Sequence, residues 1–221
     1  RQGLSQAEVV EAALSGLSDS PLPASLILCC MRGDTNGEAN LETLRTARTF
    51  LGRGVAALDL AGAEALFPTR RFLPLFEQAR REGIPFTIHA GEADGPDSVR
   101  AAMEAGAARI GHGIRAAEDP RLLQELCRRG ISLELCPTSN FQTKAAGIPS
   151  AYPLRRYLEL GLSVTLNTDN TTVSGTTLAK EYAFARKALG ITGQEEQRLL
   201  RNAAGAAFLD EPGKARLLAL L

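Results

Sequence analysis

Reactive side chains close a series of apolar runs in this chain: Asp59, His89 followed by Glu92, His112, Cys136 with Ser139 and Asn140 beyond it, and Asp169. The sequence has only two histidines. They occupy equivalent places on successive runs, His89 in Phe86-Thr87-Ile88-His89-Ala90-Gly91-Glu92 and His112 in Ile110-Gly111-His112-Gly113. A histidine at a strand end is in general a structural residue more often than a ligand, but a matched pair weakens that reading. The glycines on both sides of His112 read as clearing space for a substrate. Asp169, in Leu166-Asn167-Thr168-Asp169-Asn170, reads equally as an N-cap carboxylate for the segment after it. Taken from spacing alone, two imidazoles and a carboxylate converging on one mouth make a ligand set for a catalytic zinc, which takes three protein ligands and keeps a position open for water. His89, His112 and Asp169 are that set, and Glu92 is left as the proton carrier.

Such convergence requires a scaffold that brings distant segments to one face. The apolar runs Ser25–Met31, Val55–Leu60, Ile84–His89, Arg109–His112, Ile131–Cys136 and Leu162–Asp169 read as strands buried on both sides. Helical patterns at Leu41–Gly52, Arg70–Glu82, Asp97–Ala105, Asp119–Arg129 and Pro153–Leu160 lie between them, several closing on a glycine. Two more helices, Thr177–Leu189 and Gln194–Phe208, follow the last run. The repeat is strand, helix, glycine, strand. An open sheet gathers its functional groups at one switch point, whereas a closed parallel barrel collects them from most strand ends. The spread of polar groups along this chain favours an α/β fold of the (β/α)8 TIM-barrel type, and no glycine-rich phosphate loop argues for the alternative. Six strands are fewer than the eight such a barrel needs. The expectation is therefore one catalytic barrel domain over residues 1–221, forming the C-terminal part of a longer domain whose first two strands precede Arg1.

Composition narrows the classes of partner. The 25 Lys and Arg balance 25 Asp and Glu for a net charge of +0, so there is no cationic surplus for nucleic acid or an anionic membrane surface. The longest apolar stretches, such as Leu26 to Met31, fall far short of the ~20 residues of a membrane span, and the polar start does not read as a signal peptide. Four cysteines without a CxxC spacing point to a reducing, cytoplasmic compartment, with Cys127 and Cys136 as small core residues.

The motifs in order, Leu58-Asp59-Leu60-Ala61-Gly62, His89-Ala90-Gly91-Glu92, Gly111-His112-Gly113, Cys136-Pro137-Thr138-Ser139-Asn140 with Gln142-Thr143, and Asn167-Thr168-Asp169, resemble the adenosine deaminases, a branch of the metal-dependent amidohydrolase superfamily. The resemblance extends to Asn202-Ala203-Ala204 near the end and so covers nearly the whole chain. It implies zinc-dependent hydrolytic deamination of adenosine, and of 2'-deoxyadenosine, to inosine and ammonia in purine salvage. His89 and Asp169 would bind one zinc ion. The resemblance places His112 outside the ligand set, orienting the attacking oxygen, and has Glu92 donate a proton to purine N1. Gly62 would meet the purine through its backbone N–H, and Asn170 would reach N7 where some members carry a second aspartate. Asp59 and Glu64 would support the site through hydrogen bonds. The remaining ligands of the family come from a His-x-His pair that this sequence does not contain, in agreement with the strand count. The partner implied is a small purine nucleoside, with no nucleic acid or membrane. Two alternatives stay open on the sequence: a deaminase of adenine or another aminopurine, and a purine-binding protein without turnover.

Overall fold

The computed structural model describes residues 3–221. Its strands are β1 (Leu26–Met31), β2 (Val55–Ala61), β3 (Thr87–Ala90), β4 (Arg109–His112), β5 (Ser132–Leu135) and β6 (Val164–Leu166). Helix α1 (Gln6–Ser18) precedes β1, and α2 (Gly37–Phe50), α3 (Leu73–Arg81), α4 (Pro96–Ala105) and α5 (Pro120–Arg129) alternate with the next four strands. The short α6 (Pro137–Gln142) and α7 (Leu154–Glu159) link β5 to β6. After β6 the chain is helical only, through α8 (Thr171–Ser174), α9 (Leu178–Ala188), α10 (Gly193–Ala206) and α11 (Glu211–Leu218).

All pairings are parallel and sequential, β1 with β2 and then β3-β4-β5-β6, as the repeat predicts for a β/α barrel. The two ladders meet at a single bridge, Leu58 with Phe86, where the Leu58 amide donates to the Pro85 carbonyl at 3.0 Å. The expected strand from Ile84 starts late for two reasons. The Ile84 amide is spent on the Ala79 carbonyl at the end of α3 (2.9 Å), and Pro85 has no N–H to give the ladder. At the other end, β6 stops at Leu166 because Asp169 turns out of the sheet with φ 56°. Among the described residues β1 and β6 share no hydrogen bond, and Thr171–Leu221 supplies no strand. The architecture is a partial parallel barrel of six strands in two sheets.

Apolar side chains from both layers make the core. Leu58, Leu60, Ile88, Ile110 and Leu133 of the strands pack with Leu44, Phe76, Val99, Leu122, Leu126 and Tyr157 of the helices, all buried. Gly106 and Gly130 end α4 and α5 in the left-handed region (φ 94° and 65°), which spares a Cβ clash and turns the chain back to the next strand. Two expectations fail. β1 is not buried on both faces, since Ile27, Cys29 and Met31 alternate as exposed residues along it. Cys127 is exposed on α5 instead of in the core, whereas Cys136 is buried.

Candidate active site

β3 and β4 set the centre of the site. Their register places His89 opposite Gly111 and Ala90 opposite His112, so the two imidazoles meet edge to face with ring centroids 5.0 Å apart. A Cβ on Gly111 would lie 3.0 Å from the His89 ring. Gly111 therefore makes room for its neighbour's imidazole, a constraint that the substrate-access reading of that glycine did not contain.

Asp59 on β2 reaches across to His89, its carboxylate oxygens 2.9 and 3.0 Å from Nδ1. Burial works against charging His89, but the Asp59 hydrogen bond and charge, helped by Glu134 and Asp169, prevail and push its pKa up to about 9. A carboxylate on Nδ1 fixes a proton there, so Nε2 is the nitrogen that can bind a metal once its own proton is given up. His112 shows the opposite balance. Burial, reinforced by the charge of His89, holds its pKa below the usual histidine value despite the opposing pull of Glu92. Asp169 accepts a hydrogen bond from Ser139 Oγ at 2.6 Å, and the cap of α8 is its neighbour Asn170, whose Oδ1 accepts from Thr172 and Val173. The N-cap role read for Asp169 belongs to Asn170. One donor atom each of His89, His112 and Asp169 lies within 4.8 Å of the others, so these residues are gathered as the spacing anticipates. They line a cavity of about 540 Å³ with Gly111, Cys136, Leu166 and Ile27.

Glu92 stands beside this cavity with Oε2 3.4 Å from His112 Nε2. Its other oxygen accepts from Asn140 Nδ2 at 3.0 Å and Thr143 Oγ1 at 3.2 Å. Asn140, fully buried in α6, stood among the reactive groups of the sequence without a role in the site. The same amide nitrogen lies 3.0 Å from His112 Nδ1, and its oxygen accepts from the Tyr152 hydroxyl at 2.9 Å. Burial raises the Tyr152 pKa well above its usual value, so that hydroxyl stays protonated and donates. The Asn140 amide must then point its NH₂ at Glu92 and His112, which puts the proton of a neutral His112 on Nε2. The signal was present in Thr138-Ser139-Asn140 directly after a strand, but only the fold shows what faces it. Gly62 sits past β2 with φ 109°, where a Cβ would press on Arg32 at 3.3 Å; its place is set by the turn.

A parallel barrel whose C-terminal mouth holds two imidazoles and two carboxylates is the architecture of the amidohydrolase superfamily. The family model described as adenosine deaminase matches residues 1–221, and the chain belongs to that family. It is 47% identical over 227 residues to an adenosine deaminase of Haemophilus ducreyi, which covers 99% of this chain and 66% of that protein. A solved adenine deaminase of Arthrobacter aurescens superposes with a TM-score of 0.85 at 28% identity, covering 96% of this chain and 64% of that one. A solved Arabidopsis N6-mAMP deaminase gives 0.86 at 28% identity, with 99% and 67% covered. The chain thus spans about two thirds of the length of each of these relatives. No helix among the described residues is long and apolar enough to cross a membrane.

Proposed function

We propose that the protein is a zinc-dependent aminohydrolase that converts adenosine, and 2'-deoxyadenosine, to inosine and ammonia in cytoplasmic purine salvage, residues 1–221 forming the larger part of one catalytic barrel domain. The observation that carries this reading is the pairing of Glu92 with His112 beside the two metal donors His89 and Asp169. The four unpaired cysteines agree with a reducing compartment.

The donor set fits a zinc ion. His89 offers Nε2 because Asp59 holds Nδ1, and Asp169 offers Oδ1 because Ser139 binds Oδ2. Both ring nitrogens of His112 already face protein partners, which supports leaving it out of the ligand set. When bound there, zinc supplies a lowered pKa for the attacking water, toward about 7. The residues of the chain do the rest. Glu92 gives a proton to purine N1, which makes C6 electron-poor, and water adds there. His112, neutral through burial, turns its Nε2 proton from the loose 3.4 Å contact with Glu92 to the incoming oxygen and so keeps it over C6. Cleavage of the C6–N6 bond then releases ammonia as the C6 oxygen becomes a carbonyl, one proton of the added water passing to the leaving amine and the other back to Glu92, with one C–N bond broken for one C–O formed. Asn170, whose oxygen is committed to the cap, keeps its NH₂ for N7, and Gly62 brings backbone to the ring.

Adenine or an N6-substituted adenine nucleotide is the second reading, favoured by the deaminases of those names that share the fold. Conversion of adenosine, 2'-deoxyadenosine, adenine and N6-methyl-AMP by the full-length protein decides, followed as released ammonia for the first three and as released methylamine for the last. The nucleosides should give the highest kcat/KM. A higher value for adenine or the nucleotide would move the substrate, and release from none of the four would remove the activity.

A further inference from the structure

Glu64 lies three residues beyond β2, buried, and its carboxylate is spent on the loop that carries Glu92. Oε1 accepts from the Gly91 amide at 2.6 Å and from Ser98 Oγ at 2.5 Å. Oε2 accepts from the amides of Glu92 at 3.0 Å, Ala93 at 2.7 Å and Asp94 at 3.1 Å. Four consecutive backbone N–H groups close on one anion, the arrangement that binds phosphate in other loops, here filled from within by a side chain. Hydrogen bonds to an ionised acceptor are among the strong ones. The loop runs from the end of β3 at Ala90 to the start of α4 at Pro96, and Arg115 donates to its Gly91 carbonyl from the backbone at 3.0 Å and to its Glu92 carbonyl from Nε at 3.2 Å. A second grip comes from Arg32, which donates to the His89 carbonyl at 2.5 Å and to Thr69, whose hydroxyl is 2.8 Å from Ser98. The backbone after β3 is thus held at its carbonyls by Arg32 and Arg115 and at the amides of Gly91 to Asp94 by Glu64.

We propose that Glu64 is a positioning residue for proton delivery: by binding the amides on and around Glu92 it fixes the backbone from which that carboxyl reaches N1, without touching substrate itself. The inference rests on the aminohydrolase reading above. It follows that Glu64 acts through Glu92, and losing both costs no more than losing Glu92.

The test uses the full-length protein with Glu64→Gln, Glu92→Gln and the double variant. Glu64→Gln turns an NH₂ toward N–H donors and should lower kcat at least ~10-fold, the size of one or two lost charge-assisted bonds, with KM changed less than about threefold. Bound zinc should be unchanged. The double variant should be no slower than Glu92→Gln, whereas a merely structural role would add its own factor. Full kcat in Glu64→Gln, or multiplicative losses in the double variant, overturns the proposal. Should Glu64→Gln not fold, Ser98→Ala removes one of the five bonds and should lower kcat about threefold to tenfold, again only where Glu92 is present. Hydrogen exchange at the Gly91–Asp94 amides gives a readout independent of turnover: slow in the parent, fast in Glu64→Gln. If the parent deaminates nothing, the aminohydrolase reading fails, while equal exchange in both proteins sinks the role of Glu64 itself.

Discussion

Asn140 has three partners and no spare hydrogen-bonding group: Nδ2 serves Glu92 and His112, and Oδ1 takes the Tyr152 hydroxyl. Asn140→Asp sets a carboxylate against Glu92 and withdraws the donor from His112 Nδ1. We expect kcat to fall at least ~10-fold with the fold intact by circular dichroism, because a buried polar group left unpaired costs about 1–3 kcal/mol. Tyr152→Phe, which breaks only the outer bond, should lose less than about fivefold. Activity unchanged in Asn140→Asp would show that Glu92 and His112 need no common donor. Glu92→Gln keeps the shape of the side chain and cannot release a proton, so metal content and substrate binding should persist while turnover drops at least ~100-fold. Ammonia release near the parent rate would remove Glu92 from proton delivery. His89, Glu92, His112 and Asp169 were legible in the sequence because rare or charged side chains closed apolar runs there. Asn140 was visible only as one more reactive group after Cys136, and its role appears when α6 lays it between Glu92 and His112.

Strand register is what makes the neighbouring histidines compatible, and Gly111 is the residue it depends on. A methyl group there would sit 3.0 Å from His89 Cγ and Nδ1 and 3.1 Å from its Cα, tighter than ordinary packing tolerates. Gly111→Ala should therefore push the His89 ring off the Asp59 carboxylate and weaken zinc binding about 10-fold or more, in the range reported for disturbed ligand partners. Zinc titration of the full-length protein checks this, and an affinity equal to the parent's would mean that β3 and β4 can separate to admit the methyl. The strands themselves were legible from buried apolar runs, and their ends were not. Ile84 looks like strand but finishes α3, and Asp169 looks like strand but lies in the left-handed region. Helix α1 was missed although its capping box was readable: Ser5 and Glu8 exchange side-chain and backbone bonds at its start. α11 was missed beyond the last helix read, Gln194–Phe208, with Asp210 accepting from the Gly213 amide at its cap.

The described residues close no barrel, and β1 shows what that leaves. Leu26 and Arg32 donate their amides toward β2, to Gly54 and Ala61 at 2.8 Å each, so by alternation the backbone groups of Ile27, Cys29 and Met31 face away. Met31 is protected, because Asn40 accepts from its N–H at 2.8 Å and donates to its carbonyl at 3.0 Å, standing in for a strand. Ile27 and Cys29 have no such cover among the described residues, and the side chains of Ile27 and Met31 are 38% and 46% exposed. An edge with unpaired backbone groups and apolar side chains invites another chain to add to it, and natural edges block this with charge or proline. Residues 1–221 on their own should accordingly associate as concentration rises. Ile27→Lys, which puts a charge on that edge, should return them to a monomer without loss of helix content. Sedimentation velocity across a hundredfold concentration range reads both outcomes. A parent chain that stays monomeric throughout, or an Ile27→Lys variant that associates as strongly as the parent, would place any stickiness elsewhere, on the exposed leucines of the C-terminal segment from Leu217 to Leu221.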